Sequence, residues 1–330
     1  MKKNTILVVG GAGYIGSHTC LALREAGFDV VIYDNFSSGH RDACFADVVV
    51  EGELGDRERL VATIKAHNIG SVVHFAALIE AGVSIVEPLS FFRNNVASTI
   101  SLLEAMFETG LRKIVFSSTA AAYGNIDGDA LLDETLPIAP INPYGQSKTM
   151  VEAILQEEAR ARGLQAIALR YSNASGADPE SRAGERHDPE THLIPLVIQA
   201  ATGQRADIKI FGTDYDTPDG TCIRDYIHVA DLASGHLAAL NKLLSDEVSG
   251  FDRINLGTGK GHSVREVIDA VRSVSGRTIE AIECPRRPGD PARLVADSSR
   301  AKEVLNWDAS KADIMTIVAD AWRYANANHK

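Results

Sequence analysis

The chain has 330 residues, of which 45% are hydrophobic and 23% are charged, an ordinary composition for a globular protein. A chain of this length can bury a full core, and we expect about two domains or one large domain with an appended lobe. Its 33 basic and 44 acidic side chains give a formal net charge of −11, which argues against a nucleic-acid or membrane-surface partner, because both require a basic surface.

Short apolar runs alternate with amphipathic stretches through the first half of the chain. The predicted strands are Ile6–Val9, Val30–Tyr33, Val48–Val50, Ser71–Phe75, Lys113–Ser117 and Gln165–Arg170. The predicted helices between them are Tyr14–Ala26, Arg57–His67, Asn94–Thr109 and Tyr144–Arg162. This alternation is typical of a parallel sheet covered on both faces, and right-handed crossovers make it an α/β, doubly wound, Rossmann-type sheet.

The sequence changes character from about Ser175, where a long polar segment begins. Beyond it we predict the helices His192–Gly203, Val229–Leu244 and Ser263–Val274 and the strand Asp207–Phe211. The sequence shows no flexible linker, so a smaller C-terminal lobe should be built against the sheet. We expect a sheet domain over residues 1–174, with a return contribution from about 225–258, and a second lobe over 175–330.

The cysteines and histidines are dispersed along the chain. The four cysteines are Cys20, Cys44, Cys222 and Cys284. Their spacing predicts neither a disulfide framework nor a zinc site, and scattered thiols favour a cytoplasmic location. The closest histidines, His187 and His192, lie on a polar loop where solvated side chains are expected, so we expect no metal. No run approaches the ~18 apolar residues of a membrane-spanning helix.

A glycine-rich turn follows the first predicted strand and opens the first predicted helix. Gly10, Gly13 and Gly16 have the spacing that lets a pyrophosphate approach the backbone at a helix N-terminus. Asp34 ends the second predicted strand, where a carboxylate accepts hydrogen bonds from the adenosine ribose and repels a 2′-phosphate. The pattern therefore predicts NAD in preference to NADP, and the alternative for Asp34 is an ordinary turn residue.

A second group of residues suggests proton-transfer chemistry. Tyr144 and Lys148 are four residues apart, which places both side chains on one face of a helix. A tyrosine with a pKa near ~10 is a poor base at neutral pH, but a nearby ammonium and the positive nicotinamide ring lower that pKa. Thr119 follows the fifth predicted strand, where its hydroxyl could bridge a substrate oxygen and the tyrosine. The alternative for Tyr144 and Lys148 is a solvated helix face, and the alternative for Thr119 is a strand-end cap.

With these features the chain resembles the extended short-chain dehydrogenase/reductase family. Longer segments are similar to its sugar-nucleotide 4-epimerase branch, among them GGAGYIGSHT (10–19), NPYGQSK (142–148), RYSN (170–173) and DGTCIRDYIHVA (219–230). The likeness extends from residue 6 to Trp307. It implies that NAD is held by the sheet domain and a UDP-hexose by the C-terminal lobe, and that the chain forms a homodimer through helices such as Asn94–Thr109 and Tyr144–Arg162.

The resemblance implies interconversion of UDP-glucose and UDP-galactose by oxidation at C4, rotation of the 4-keto sugar and re-reduction. Tyr144 is then the base, tuned by Lys148 and assisted by Thr119, and all three lie beside the cofactor. Implied for NAD, besides the glycine motif, are Tyr14, Ile15, Asp34, Asn35, Glu53, Leu54, Phe75, Ala76, Ala77, Asn94 and Ser172. Implied for the UDP-sugar, besides Thr119 and Tyr144, are Tyr171, Asn173, Leu193, Phe211, Arg224, Tyr226, Arg287, Asp290 and Leu294.

Some positions depart from the family pattern. These are Glu53 in place of an Asp, Ile79 in place of a Lys, Ser172 in place of a Phe, His192 in place of an Asn, and Leu294 in place of a Tyr. None of them removes a catalytic group. Because Leu294 is expected on the wall of the hexose pocket, the smaller side chain leaves the breadth of UDP-sugar specificity open.

Three other functions compete with this interpretation. A 4-epimerase of another UDP-sugar, such as an N-acetylhexosamine, a pentose or a hexuronate, fits the same motifs. A nucleotide-sugar 4,6-dehydratase needs an acid and a base beside the threonine, whereas Ala120 and Ala121 follow Thr119 here. A non-catalytic NAD-binding protein would have no need of Tyr144, Lys148 and Thr119 together.

Overall fold

In the computed structural model the described residues are 5–126, 128, 130–287 and 290–328. Their strands are β1 (Thr5–Val9), β2 (Asp29–Asp34), β3 (Val48–Glu51), β4 (Ile69–His74), β5 (Lys113–Ser117), β6 (Gln165–Arg170), β7 (Ala174–Ser175), β8 (Ile208–Phe211), β9 (Ile223–Arg224), β10 (Ile227–His228), β11 (Phe251–Asn255), β12 (His262–Ser263), β13 (Ala281–Cys284) and β14 (Arg293–Leu294). Their α-helices are α1 (Tyr14–Glu25), α2 (Arg57–Ala66), α3 (Ala81–Val86), α4 (Pro88–Phe91), α5 (Ser98–Glu108), α6 (Pro143–Arg162), α7 (Leu193–Ala201), α8 (Val229–Leu244), α9 (Val264–Ser275), α10 (Ser299–Leu305) and α11 (Ile314–Asn328). Two 3₁₀ turns (Arg41–Ala43 and Ala120–Tyr123) and a π-helical turn (Phe92–Ala97) complete the helical segments.

A parallel sheet forms the centre of the molecule, and the predicted doubly wound α/β fold is confirmed. Within the described residues it has seven strands in the order β11-β6-β5-β4-β1-β2-β3. The six predicted strands are present with bounds shifted by at most two residues. The seventh strand, β11, was not predicted and pairs with β6 at the edge of the sheet, with Phe251 opposite Ala166.

The register of the sheet brings three strand ends together. Val9 of β1 pairs with Tyr33 of β2 on one side and with His74 of β4 on the other. The chain reverses its winding direction between β1 and β4, which is where doubly wound sheets form their ligand crevice. The segments after Val9, Tyr33 and His74 therefore meet at the carboxyl edge of the sheet.

Both faces of the sheet are buried, which explains why its strands read as continuous apolar runs. Along β1, Ile6 and Val8 belong to the core beneath α1 and α8, while Leu7 and Val9 belong to the core beneath α2, α5 and α6. A third core lies between α7, α9 and α11 in the second half of the chain. None of the helices in the described part of the chain combines the length and the apolarity needed to span a bilayer.

The helix predicted over Asn94–Thr109 is longer than expected, because helical structure begins at Pro88. It runs through α4, the π-helical turn and α5. The π-helical turn places Asn95, which is buried, against the segment after β4: its amide group accepts from the Leu78 N–H (2.8 Å) and donates to the Leu78 carbonyl (3.0 Å). Asn95 also donates to the Ser147 hydroxyl on α6 at 3.0 Å. One side chain thus joins three segments around the crevice.

Candidate functional site

The glycine loop has two glycines that the fold requires and one that leaves space. A Cβ on Gly10, which has a φ of +80°, would lie 2.5 Å from the Ala76 nitrogen, and a Cβ on Gly16 would lie 2.2 Å from the Gly10 carbonyl oxygen. A Cβ on Gly13 would meet Gly10 at an ordinary 3.5 Å. Gly13 caps α1, so it keeps open the space in front of the helix N-terminus, as a cradle for an anion requires.

Asp34 lies beside this loop, as predicted. Its carboxylate accepts from the Ala12 N–H and from the Phe36 N–H, both at 2.9 Å, and its side chain is buried. It is therefore a turn residue that also fixes the glycine loop. Each carboxylate oxygen keeps a further lone pair, so the two interpretations of Asp34, turn residue and ribose acceptor, are compatible.

Other residues predicted for NAD lie on α1 and just after β2 and β3. Asn35 donates to the Glu53 carboxylate at 3.0 Å, and both side chains lie at the surface. Leu54 is buried and Ile15 packs against the core beneath α1. Tyr14 points away from this region, because its hydroxyl donates to the Gly176 carbonyl at 2.7 Å.

Other residues predicted for NAD line the ends of β4 and β6. Phe75, Ala76, Ala77 and Ser172 are partly exposed there. The Phe75 ring packs 4.6 Å from the buried imidazole of His236, a residue that the sequence motifs do not single out. Asn94 donates to the Asn95 carboxamide at 3.0 Å, which links it to the junction described above.

Thr119 and Tyr144 meet at the carboxyl end of β5. Thr119 caps the 3₁₀ turn Ala120–Tyr123, its hydroxyl accepting from the Ala121 N–H at 3.1 Å. Burial raises the pKa of Tyr144, a hydrogen bond with Thr119 opposes that rise, and the Glu80 carboxylate adds to it. Without a neighbouring positive charge Tyr144 therefore keeps its proton at neutral pH and cannot accept one.

Lys148 supplies a candidate for that charge. It lies one turn after Tyr144 on α6, is 3% exposed, and donates to the Ser117 carbonyl at 2.8 Å. Burial lowers the pKa of its ammonium to about 7, and the nearby Glu152 carboxylate opposes the decrease. Lys148 is thus a lysine whose charge depends on its surroundings at neutral pH.

A buried ion pair beneath Lys148 was not predicted from the sequence. Glu152 is 4% exposed and Arg170 is fully buried. The Glu152 carboxylate accepts from Arg170 Nε at 2.9 Å and from a terminal guanidinium nitrogen at 2.5 Å, and it also accepts from the Ser118 hydroxyl at 2.5 Å. The four-residue spacing from Lys148 to Glu152, which puts both on one helix face, was the signal available in the sequence.

The basic residues predicted for the diphosphate lie together in the second half of the chain. Arg224 on β9 is largely buried and contacts the Asp290 carboxylate at 2.8 Å. The guanidinium of Arg287 stacks 3.9 Å above the ring of Phe211 at the end of β8. Arg224 is thus held within the fold and does not belong to an exposed surface salt bridge.

The remaining predicted substrate residues occupy three environments. Tyr171 is buried with its hydroxyl 2.5 Å from the Ser117 hydroxyl, and Tyr226 packs in the core between α7, α9 and α11. Asn173 lies near Asp225, whose carbonyl accepts from it at 3.4 Å, and Leu193 opens α7. Leu294 on β14 pairs with Arg224.

Leu294 also approaches the Thr119 turn. It packs against a small apolar cluster formed by Ala120, Tyr123 and Leu132. Ala120 directly follows Thr119, and Leu294 pairs with Arg224, so Leu294 contacts both the Thr119 turn and the Arg224 strand. Its place on the wall of a sugar pocket stays a prediction.

Comparisons with known proteins identify the family of the chain. Residues 6–257 match the model of a family described as the NAD dependent epimerase/dehydratase family. A UDP-glucose 4-epimerase of Rhizobium meliloti (strain 1021) is 47% identical over 324 residues, which cover 98% of both chains.

Two solved structures show the same fold. The UDP-glucose 4-epimerase of Brucella ovis in complex with NAD is 44% identical with a TM-score of 0.94, over 97% of this chain and 98% of that one. The UDP-Glc/GlcNAc 4-epimerase of Campylobacter jejuni is 39% identical with a TM-score of 0.86, over 98% of this chain and 99% of that one. On the family match and these full-length similarities, the chain belongs to the NAD dependent epimerase/dehydratase family.

Proposed function

We propose that this protein is an NAD-dependent isomerase that interconverts UDP-glucose and UDP-galactose, with Tyr144 as the base. The observation that supports it best is the meeting of Thr119, Tyr144 and Lys148 at the same sheet edge as the glycine loop. The 47% identical relative is named for the same reaction. A 4,6-dehydratase is disfavoured, because Ala120 and Ala121 form the turn after Thr119 and offer no acid or base.

The residues of the crevice fit NAD. Gly13 leaves the helix N-terminus open for a pyrophosphate. The negative charge of the Asp34 carboxylate suits a ribose that carries free hydroxyls and no 2′-phosphate. When bound, NAD would accept a hydride from C4 of the sugar and return it to the other face. We assign the adenosine half to Asp34, Asn35 and Glu53, and the nicotinamide half to the segment Phe75–Ala77.

The chain's own residues perform the proton chemistry. Tyr144 takes the proton of the sugar 4-hydroxyl, and Thr119 orients that hydroxyl and the tyrosine. Lys148 in its charged form lowers the pKa of Tyr144 by direct electrostatic attraction. Arg224 and Arg287 hold the diphosphate, which anchors the nucleotide while the sugar turns.

We assign these tasks to two parts of the chain and the active form to a homodimer. Residues 1–174 with 225–258 form the NAD-binding part, an assignment supported by the addition of β11 to the central sheet. The rest holds the UDP-sugar. For the homodimer the support is an exposed apolar face, formed by α3, α4, α5 and α6, with Val86, Leu89, Ile100 and Met150 at its surface.

The function is tested with the purified protein in two steps. Denaturation should release NAD, identified by its absorbance after enzymatic reduction. A coupled assay should then detect UDP-glucose formed from UDP-galactose. Release of NAD without turnover of any UDP-hexose would support a binding protein, and turnover that stops at a 4-keto-6-deoxy product would support a dehydratase.

Asp34→Ala should weaken retention of NAD and make NADP less disfavoured. The change removes the ribose acceptor, the repulsion of a 2′-phosphate and the two backbone hydrogen bonds to Ala12 and Phe36. The measurement is the NAD content of the purified variant and its binding of both cofactors. Asp47→Ala is the control, because Asp47 accepts from the Val30 N–H at the opposite end of β2. A full complement of NAD with unchanged rejection of NADP would reduce Asp34 to a turn residue.

A second activity is supported at Leu294. Leucine is smaller than the Tyr expected at this wall position and should leave room for an N-acetyl group, and the Campylobacter jejuni relative is named for both UDP-Glc and UDP-GlcNAc. Extra room gives little discrimination against the smaller sugar, because pockets discriminate by only about 1–3 kcal/mol per methylene. We therefore assign UDP-galactose/UDP-glucose as the main pair and UDP-N-acetylhexosamines as a second pair.

Leu294→Tyr should suppress epimerisation of UDP-N-acetylhexosamines selectively. Leu294 contacts the cluster that contains Ala120, and the added ring and hydroxyl should occupy the room that an N-acetyl group would need in the proposed pocket. The measurement is kcat/KM for both substrate pairs, and Ile282→Tyr, at an exposed position of β13, is the control. If the unaltered enzyme shows no N-acetylhexosamine turnover at high enzyme concentration, Leu294 does not open the pocket.

A further inference from the structure

Four metal-ligating side chains converge in the loop that precedes α7. They are Glu185, His187, Glu190 and His192, here called the 185–192 cluster. One ligand atom from each lies within 4.8 Å of the others. The sequence predicts solvated histidines in this loop, but the side chains of both glutamates are only 6% and 7% exposed.

The distances within the cluster converge on one carboxylate. His192 Nδ1 lies 2.8 Å from a Glu185 oxygen and 3.0 Å from a Glu190 oxygen. His187 Nδ1 lies 3.0 Å from the same Glu185 oxygen. A tetrahedral zinc site with bonds of about 2.0–2.1 Å has its ligand atoms about 3.3 Å apart, which is close to this spacing.

Hydrogen bonds alone satisfy this arrangement poorly. A single Nδ1–H of His192 cannot point straight at Glu185 and Glu190 together. The buried carboxylates of Glu185 and Glu190 also lie in the same small cluster, where like charges repel each other. One divalent cation would bond to all four side chains at once and neutralise both charges.

The chain around the cluster is already fixed. The Glu190 carboxylate also accepts from the backbone N–H groups of Thr191 (2.7 Å) and His192 (2.8 Å), which holds it in place as an outer hydrogen-bond shell holds a metal ligand. Between the ligands, Arg186 pairs with Asp42 at 2.7 Å. The loop is thus preorganised before any ion binds.

We propose that the 185–192 cluster binds one Zn²⁺. Two imidazoles and two carboxylates form a donor set that zinc accepts, and four protein ligands leave no open position, so the site is structural. By fixing His187, the ion would stabilise the first turn of α1, because the ring of His187 packs edge-on against that of Tyr14 at 6.2 Å. The inference does not depend on the proposed function.

The test is zinc binding to the full-length, tag-free protein after chelator treatment. Calorimetric titration with ZnCl₂ should give about one site per chain. His192→Gln and Glu185→Gln should each weaken binding at least ~100-fold, since a lost ligand should cost no less than a lost outer-shell partner. His262→Gln should bind like the parent, because His262 faces a single carboxylate, that of Glu266, at 3.8 Å.

A second measurement keeps the test independent of how the variants fold. Co²⁺ added to the parent protein should give the intense visible bands of a four-coordinate site, and Zn²⁺ should abolish them and raise the unfolding temperature. A pale six-coordinate spectrum, or equal zinc binding by parent, His192→Gln and Glu185→Gln, would overturn the proposal. The 185–192 cluster would then be only a hydrogen-bonded network of histidines and carboxylates.

Discussion

Tyr144→Phe should keep the fold and the bound NAD but lower kcat by roughly 10²–10⁴-fold. The substitution removes one hydroxyl, which burial and Glu80 make a weak acid and which Thr119 hydrogen-bonds. Phenylalanine can occupy the same volume on α6, so binding of the nucleotide should change little. The measurement is the coupled epimerase assay at saturating UDP-galactose together with the NAD content of the variant.

The matched control is Tyr33→Phe. Tyr33 is buried in β2 and loses a comparable hydrogen bond, from its hydroxyl to the Glu53 carbonyl at 2.9 Å, without any proton transfer. Its activity should stay close to that of the parent. If Tyr144→Phe also retains activity within a few-fold, another group takes the proton and the assignment of Tyr144 as base is wrong.

Glu152→Gln should lower the free energy of unfolding by about 3–5 kcal/mol, because it leaves a fully buried guanidinium without its counter-charge. Burial lowers the pKa of Arg170 and the hydrogen bond to Glu152 raises it. Because an arginine is intrinsically charged at any accessible pH, Arg170 stays charged in the variant. The loss of the Glu152 charge should also lower the pKa of Lys148 further and reduce activity at neutral pH. Denaturant unfolding and the pH profile of kcat measure the two effects.

Two further variants separate a lost charge from a lost contact. Glu157→Gln removes an exposed pair on the same helix, with Arg160 at 2.6 Å, and should cost less than ~1 kcal/mol. The double variant Glu152→Met with Arg170→Met should recover most of the stability, because an apolar replacement of a buried pair leaves no charge unpaired. A double variant as unstable as Glu152→Gln alone would indicate that packing, and not charge, sets the stability here.

The sequence predicted the parts of the fold that follow a local pattern. Strands buried on both faces appear as apolar runs, and the glycine spacing marks the turn into α1. The edge strand β11 was missed because Asp252 and Arg253 interrupt its apolar pattern, which an edge position tolerates. The helices α10 and α11 and the two-residue strands were also not predicted. Two-residue strands are too short to show a period.

In the site, too, the sequence indicates the residues that follow a local pattern and misses those that only the fold brings together. Tyr144, Lys148 and Asp34 stand at motif spacings, so the order of residues along the chain is enough to indicate their roles. Asn95 and Arg170 do not, since their partners come from distant segments and only the folded chain brings them together. His187 and His192 were predicted to be solvated because the sequence does not show how deeply the neighbouring glutamates are buried.

The π-helical turn Phe92–Ala97 limits which insertions and deletions the chain tolerates. A π-helical turn holds one residue more than the α-helical turn it replaces. Deleting a residue there would restore a regular helix but rotate everything beyond it by about 100°. Either Asn95 would turn away from Leu78 and Ser147, or the buried face of α5 with Leu102 would turn into water. Length variation among homologues should therefore avoid this turn, even where its individual residues are free to vary.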